Sequence, residues 1–317
     1  MEMKDFAEKA CRAMKEVLGE EYEVRIQEVQ KNNGVILQGL LILSEKQNVS
    51  PTIYLKPFWE AYEGGVAFAE LVRRMLQIYR EDMPEQSIDM SFFKQFECVK
   101  DRICYRLVNA EQNKELLEKI PHIAFLDLAI CFYYAYEGEA LGKGTILIYH
   151  THAELWQTDA QELMQLAEEN TKRLFPWECS SMETVVRELM ERRNQDILKF
   201  DGRCEGMTAP WGIAGEEEAF WENIPMQILS NDSRVYGAAC ILYPGLLSEI
   251  AEKEDANLYL LPSSVHEVII MPDSGREEPL ALKSMIYEVN RTQLEPEEVL
   301  SDSLYYFERS GKNIKVI

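Results

Sequence analysis

The chain has 317 residues, of which 46% are hydrophobic, and its 55 acidic and 33 basic residues give a formal net charge of −22. The apolar content is sufficient for a core, so the composition excludes global disorder. The negative charge repels phosphates, so direct nucleic-acid binding is not expected. Apolar runs such as 123–136 are too short to span a bilayer, and the start lacks a signal-peptide pattern. We therefore expect a cytoplasmic protein without a membrane segment.

The first predicted module covers residues 1–85. A helical pattern at the start is followed by strand-like alternation over 22–27 and by an apolar run over 35–43. Asn33-Gly34 lies between these two strand patterns and predicts a β-hairpin, because both turn positions favour residues that tolerate positive φ. An aromatic helix and a longer helix follow, up to Pro84.

The middle module, 86–199, is predicted to contain two long strands, over 123–136 and from Gly144 to Trp156, joined by a glycine-rich turn. Residues 200–218 hold four glycines and a proline, which is typical of a linker or long loop. The C-terminal module, 219–317, is predicted to contain four strands, one of them over Gly237–Tyr243, then a helix through Leu282–Val289. A hairpin turning at Ser310-Gly311 closes the chain.

A short internal similarity occurs at an offset of 120 residues. LAEENTKRLFP (166–176) aligns with IYEVNRTQLEP (286–296), and a predicted strand pair precedes each segment. The similarity suggests a duplicated hairpin–helix module, and a chance match is the alternative. The overall prediction is an α+β fold of mainly antiparallel sheets with helices packed on them.

Six stretches occur in a recognisable order: EVQKNNGVILQGLLI, SPTIYLKPFWEAYEGG, LEKIPHIAFLDLAICFYY, ILSNDSRVYGAACILYPGLLSEIAEK, LYLLPSSVHEVIIMPD and EVNRTQLEPEEVLSDSLYYF. In this order they resemble an uncharacterised family, a domain of unknown function, from gut clostridia and related Firmicutes. The resemblance extends over nearly the whole chain. It implies a cytoplasmic bacterial protein of one continuous architecture, and it implies no particular activity or cofactor.

The segment Pro262–Glu267 contains the first catalytic candidates. Ser264, His266 and Glu267 are residue types of an acyl-transfer triad. On an extended strand, however, Ser264 and His266 would be roughly 7 Å apart, and Glu267 would point to the other face. The alternative is a loop-to-strand junction in which Ser263 and Ser264 satisfy backbone groups.

A second candidate site consists of His150, His152 and Glu154. On a strand their i, i+2, i+4 spacing would place all three on one face, where two imidazoles and a carboxylate could bind a divalent metal. A solvent-facing strand edge is the alternative. The seven cysteines form no C-x-x-C motif, so they favour free thiols in a reducing cytoplasm over a zinc site.

Further binding candidates lie near the C-terminus and in the aromatic helix. Ser263 is a binding candidate, as are Asn290, Ser301 and Asp302. The last three could form a polar pocket with His266, or they could cap backbone groups. Tyr54 and Trp59 belong to an aromatic cluster that could anchor a partner or fill a core.

The leading functional hypothesis is a non-enzymatic interaction or regulatory protein with a protein partner, because no strong catalytic or phosphate-binding motif occurs. No cofactor is predicted, and the oligomeric state is left open. The alternatives are a hydrolase or metal-dependent enzyme that uses His266 with Glu267, or His150 with His152, and an acidic nucleic-acid mimic.

Overall fold

The computed structural model describes residues 1–44, 48–83, 89–138, 142–181, 226–276 and 278–317. Within these ranges the chain has an α+β fold in which helices accompany open antiparallel sheets, which confirms the predicted fold class. The chain divides into two compact units, residues 1–98 with 135–146 and residues 99–134 with 147–317. The predicted linker, 200–218, lies outside the described residues, and the three-module division remains a prediction.

The described elements have the following bounds. The α-helices are α1 (Met3–Leu18), α2 (Lys56–Glu63), α3 (Phe68–Asp82), α4 (Phe96–Val99), α5 (Lys114–Leu117), α6 (His150–Trp156), α7 (Ala160–Leu174), α8 (Leu246–Lys253) and α9 (Pro279–Thr292). The strands are β1 (Tyr22–Gln30), β2 (Ile36–Ser44), β3 (Thr52–Tyr54), β4 (Ile103–Asn109), β5 (His122–Phe125), β6 (Leu128–Gly138), β7 (Gly142–Leu147), β8 (Trp177–Ser181), β9 (Gln227–Asn231), β10 (Leu258–Leu261), β11 (Val268–Pro272), β12 (Tyr305–Glu308) and β13 (Asn313–Val316).

The first unit contains a three-stranded sheet in the order β1-β2-β3. The predicted hairpin is present: β1 pairs antiparallel with β2, and Asn33 (φ 59°) and Gly34 (φ 69°) adopt positive φ in the connection. Helices α1 and α3 cover this sheet with apolar residues at helical spacing. Phe6, Met14 and Met75 are fully buried against Leu40 and Ile42 of β2, and together they form the core of this unit.

The second unit contains a six-stranded sheet in the order β13-β12-β10-β11-β9-β8. Helix α9 packs on it through Leu282, Ile286 and Val289, which recur at i, i+4 and i+7. The predicted C-terminal hairpin is present as β12 paired with β13. The helix therefore has one buried face and one face exposed to solvent.

The predicted strand over 123–136 is instead a hairpin. Strand β5 pairs antiparallel with β6, and β6 also pairs with β4 and β7. Leu126 adopts a left-handed conformation (φ 54°) and turns the chain immediately before Asp127. The continuous apolar pattern hid this turn, because leucine rarely takes positive φ and gives no turn signal.

Two further sequence predictions are corrected. Residues 237–242 form a buried 3-10 helix, not a strand, because a short apolar run does not distinguish a buried strand from a buried helical segment. The strand predicted from Gly144 to Trp156 ends at Leu147, and His150–Trp156 is helix α6.

Candidate functional site

The segment with Ser264 and His266 connects β10 to β11 and is held by a short antiparallel ladder. Val265 N donates to Glu298 O (2.8 Å), and Leu300 N donates to Ser263 O (2.7 Å). Ser264 forms a bridge with Val299 between these two bonds. The ladder brings Glu298 beside His266, although 32 residues separate them in sequence.

The Ser264 hydroxyl forms a hydrogen bond with the backbone. It accepts a hydrogen bond from His266 N at 3.0 Å, and both Ser263 and Ser264 are buried. This contact is a local serine turn of the kind that the sequence alternative described. A catalytic triad would require a hydrogen bond between the serine hydroxyl and the imidazole. The contact of Ser264 is with the backbone N–H of His266 instead.

The imidazole of His266 is oriented by Tyr236. Its Nδ1 accepts a hydrogen bond from Tyr236 N at 3.3 Å, and the two rings stack with centroids 6.0 Å apart and planes 11° from parallel. Arg106 Nη1 donates to Tyr236 Oη at 2.9 Å, which holds the phenol ring in turn. Since Nδ1 is an acceptor, a neutral imidazole carries its proton on Nε2.

The carboxylate nearest to Nε2 is that of Glu298. Its Oε1 lies 3.9 Å from Nε2, and the two side chains are 41% and 35% exposed, respectively. Burial lowers the pKa of His266, with a smaller opposing effect of a hydrogen bond with the backbone of Arg234. Burial also raises the pKa of Glu298, with Glu297 adding to the effect. Burial therefore favours the neutral form of both groups.

Glu267, the acidic residue expected to act with His266, has a different environment. Burial raises its pKa; Arg234 opposes that rise and Glu298 adds to it. Glu298, by contrast, has its Oε1 3.9 Å from the imidazole Nε2. A catalytic role for Ser264, His266 and Glu267 remains a prediction.

The loop before the 3-10 helix has a strained backbone, and it places Tyr236 beside His266. Arg234 (φ 53°) and Tyr236 (φ 54°) are both left-handed. The Asn231 side chain fixes the loop, donating to Val235 O at 2.9 Å and accepting from Val235 N at 3.2 Å. Ser230 Oγ also donates to His266 O at 2.7 Å. Such strain persists only where surrounding contacts determine the conformation.

The proposed metal ligands lie on helix α6. On a helix, positions i and i+4 share a face, so His150 and Glu154 project away from His152. His152 Nδ1 accepts from Tyr149 N at 3.1 Å, and its ring packs between those of Tyr149 and Trp156. Among the described residues, no group of three or more histidines, cysteines, aspartates or glutamates could hold a metal ion.

Asn290, Ser301 and Asp302 form a hydrogen-bonded group at the end of α9. Asn290 Nδ2 donates to Ser301 O (3.0 Å) and to Asp302 Oδ1 (2.8 Å). Ser301 Oγ donates to Asp127 Oδ2 at 2.6 Å. These contacts join backbone and side chains of the second unit, which corresponds to the capping alternative.

The aromatic candidates belong to the first unit. Trp59 is partly buried against its core, and its Nε1 donates to Met1 O at 2.9 Å. Tyr54 lies under the ammonium group of Lys31, with Nζ 4.2 Å from the ring centroid. Both side chains thus contact residues of their own unit, and their partner-binding role remains a prediction.

Sequence reasoning identified His266 and missed Tyr236, Arg106 and Glu298. The turn-forming run Asn231-Asp232-Ser233 was the available signal for the supporting loop, because Asn, Asp and Ser favour tight turns. Nothing in the local sequence links Arg106 or Glu298 to His266. Their proximity depends on the sheet order and on the ladder described above.

The chain belongs to the family of unknown function DUF5688, whose model matches residues 3–309. No curated protein and no solved structure is similar enough to be counted as a match. Within the described residues, no helix has both the length and the apolar content needed to cross a membrane.

Proposed function

We propose that this chain is a non-enzymatic interaction protein of the cytoplasm and that its contact surface is the outer face of α9. The observation that carries the proposal is the exposure of two large apolar side chains on this face, Leu280 at 77% and Tyr287 at 53%. They are seven residues apart, two helical turns, and therefore lie above one another. Exposed apolar residues in such a row are typical anchors of helix-mediated recognition.

The rest of the outer face has a composition that suits binding. Ser284 lies between the two anchors, and its hydroxyl donates to Leu280 O. The Arg291 guanidinium carbon lies 3.4 Å from the centroid of the Tyr287 ring, and Asp302 pairs with Arg291. Tyrosine and arginine dominate binding energy in many interfaces. We define Leu280, Ser284, Tyr287 and Arg291 as the α9 stripe.

The net charge of the chain indicates which kind of partner could bind the α9 stripe. Two copies of a chain with a net charge of −22 repel each other, which disfavours self-association through this face. A basic protein with an apolar recess for a helix face is complementary in both charge and shape. The six described cysteines are free thiols, which fits the reducing cytoplasm as the location of this interaction.

Site-specific photo-crosslinking in the native host tests this proposal. Benzoylphenylalanine in place of Tyr287 is expected to form a covalent adduct with a basic protein. The yield of this adduct should fall as salt is added. Adding Leu280→Asp should reduce the yield at least tenfold, because it puts a charge at an apolar anchor. Leu155→Asp is the matched control, since Leu155 is an exposed leucine (57%) of helix α6, and it should leave the yield unchanged.

Three outcomes would overturn the proposal. The first is an equal adduct yield from benzoylphenylalanine at Tyr149, an exposed tyrosine outside the α9 stripe. The second is a yield that Leu280→Asp does not change. The third is an adduct with twice the chain mass, because it would make the occupant a second copy.

A further inference from the structure

Strand β1 forms one edge of the three-stranded sheet in the first unit. It pairs with β2 in a continuous register that runs from Tyr22 opposite Ser44 to Gln30 opposite Ile36. Among the described strands, none pairs with its other side. The strand contains no proline, and no bulge interrupts the register, although both are common protections of an exposed edge. The outer side of β1 is therefore a long and regular sheet edge.

The register determines which residues of β1 direct their backbone groups outward. Lys31 N donates to Val35 O just beyond the strand, so the odd-numbered residues of β1 exchange hydrogen bonds with β2. The N–H and C=O groups of the even-numbered residues consequently point away from β2. Cys11 Sγ contacts the strand from this outward side, where it donates to Val24 O at 3.4 Å.

Ile26, Glu28 and Gln30 are the next outward residues, and their backbone groups are open. Within the described ranges, the N–H and C=O groups of these three residues form no hydrogen bond. The side chains of Glu28 and Gln30 are exposed, and Ile26 is partly buried against the core of the unit. A row of alternating donors and acceptors at strand spacing is complementary to the backbone of another extended chain. We call residues 26–30 the β1 edge.

Charges on β1 disfavour a second copy of this chain as the occupant of the β1 edge. An antiparallel register that engages the open residues of both copies would place Glu28 opposite Glu28 of the second copy. It would also place Arg25 opposite Lys31 of the second copy. Like charges directly opposite each other destabilise a strand pair. A chain with a net charge of −22 is instead complementary to a basic partner.

We propose that the β1 edge binds an extended segment of a basic protein as an added antiparallel strand. A lysine or arginine of this segment lies opposite Glu28, and an apolar residue lies opposite Ile26, whose side chain packs against the core. The antiparallel direction is that of the other pairs in this sheet, β1 with β2 and β2 with β3. It is also slightly more stable per residue than the parallel one. The proposal does not depend on the α9 stripe, which lies in the second unit.

Binding of a synthetic heptapeptide to the full chain tests the proposal. The probe is acetyl-Ser-Thr-Lys-Thr-Val-Thr-Ser-amide, in which the lysine lies opposite Glu28 when the valine lies opposite Ile26. Fluorescence polarisation of the labelled probe measures its dissociation constant. We expect saturable binding. Glutamate in place of the lysine should raise the dissociation constant about fivefold, because like charges would then face each other across the strand pair.

Methylation of the probe's backbone distinguishes strand addition from a contact made only by side chains. In the antiparallel pair, the N–H of the valine points at β1, whereas the N–H of the central threonine points away. N-methylation of the valine should therefore weaken binding about tenfold, because it removes a backbone hydrogen bond and leaves its acceptor unpaired. N-methylation of the central threonine is the matched control and should leave binding nearly unchanged.

A charge-reversal variant tests the position of the added strand. Glu28→Lys should reverse the preference, so that the glutamate peptide binds more tightly than the lysine peptide. Glu16→Lys, at an exposed position of α1, is the matched control because it changes the net charge of the chain equally. It should keep the original preference. Both substituted positions are exposed, so circular dichroism should show an unchanged fold for both variants.

The proposal is overturned if neither peptide binds saturably, or if the two N-methylated probes lose affinity equally. An unchanged preference in Glu28→Lys would have the same consequence. A dimer detected by light scattering and altered by Glu28→Lys would also overturn it, because the occupant of the β1 edge would then be a second copy. None of these results bears on crosslinking at the α9 stripe, so the two proposals can fail separately.

Discussion

Ser301 donates its hydroxyl hydrogen to the carboxylate of Asp127 at 2.6 Å, across 174 residues of sequence. Ser303 Oγ donates to the same oxygen at 3.0 Å, and Tyr305 Oη donates to the other one. One carboxylate in the β5–β6 turn therefore binds three hydroxyl groups of the segment that leads into β12. Hydrogen bonds to a charged acceptor are stronger than those between neutral groups.

Asp127→Ala should therefore be strongly destabilising. It leaves three hydroxyl groups without their acceptor, and the buried Tyr305 hydroxyl cannot easily be solvated instead. We expect the free energy of unfolding to fall by about 2–4 kcal/mol, since removing one partner of a buried charged hydrogen bond costs more than the bond contributes. Urea denaturation followed by circular dichroism measures this change.

Asp255→Asn is the matched control for that measurement, because asparagine removes the charge and tolerates the left-handed backbone at this position (φ 51°). Asp255 pairs with Arg309, but its side chain is 86% exposed. Exposed ion pairs contribute little to stability, so the unfolding midpoint should remain close to that of the parent chain. If both variants lowered the free energy of unfolding equally little, the result would contradict a stabilising role of the Asp127 hydrogen bonds.

The fold was predictable from the sequence where the residue types themselves determine the backbone conformation. Asn33-Gly34 tolerates the positive φ that its hairpin requires, and the alternation in β1 indicates its buried face. Leu126 adopts the same unusual φ although leucine rarely does so, and the β5–β6 turn was therefore missed. Asp127, a lone acidic residue in an apolar run, was the available signal for that turn.

The candidate site was predictable only in part. His266 was identified by residue type, but Tyr236 reaches it through a loop between β9 and the 3-10 helix. Glu298 reaches it through pairing of two loop segments. Both depend on long-range contacts that periodicity does not encode.

The similarity at an offset of 120 residues aligns two buried asparagines. Asn170 Nδ2 donates to Lys100 O at 2.8 Å and to Ile103 O at 3.1 Å, whereas Asn290 Nδ2 donates to Ser301 O. Each asparagine lies near the end of a helix and binds carbonyl oxygens of another segment. This shared use is compatible with duplication, which remains a prediction.

Gly237→Ala should disturb both stability and the His266 site. A methyl carbon at this position would lie 2.5 Å from His266 O and 2.8 Å from Asn231 N, and still closer to Ser230 Oγ. Because two of these neighbours are backbone atoms, the loop must move. We expect a loss of about 1–3 kcal/mol in unfolding free energy, as for overpacked cores, together with shifted His266 signals. The measurements are urea denaturation and histidine resonance spectra.

Gly144→Ala is the matched control, because a methyl carbon there meets nothing within 4 Å. Its unfolding free energy should change by less than about 0.5 kcal/mol. A Gly237→Ala protein as stable as this control, with unshifted His266 signals, would contradict the tight packing described here.

Thiol labelling should distinguish buried from exposed cysteines. Burial raises the pKa of Cys104, Cys131 and Cys240 to about 12, whereas Cys98 is exposed. Since the thiolate is the reactive form, iodoacetamide at pH 8 should label Cys98 and spare the three buried thiols. Peptide mass spectrometry reads out each site, and labelling in concentrated urea is the control. Labelling of Cys131 before Cys98 would be inconsistent with the structure.

The titration of His266 should occur at lower pH in the folded chain than in the unfolded chain. Burial disfavours the imidazolium and lowers the pKa of His266 from its ordinary value of 6.5. Histidine resonances followed over pH should therefore give a His266 midpoint below 6.5, with a higher midpoint in concentrated urea. Nitrogen shifts should also show the proton on Nε2, because Nδ1 accepts from Tyr236 N.

The lowered pKa of His266 also predicts a sign for the pH dependence of stability. Its contribution is present above pH 6.5 and is lost as the pH falls through the folded pKa, since the unfolded chain then binds more protons. Glu267 and Glu298 act in the opposite direction, because burial raises their pKa above 4.5. Subtracting the unfolding free energies of His266→Gln from those of the parent chain isolates the histidine. That difference should decrease as the pH is lowered from 7 to 5, and an increase would show that the folded state prefers the imidazolium.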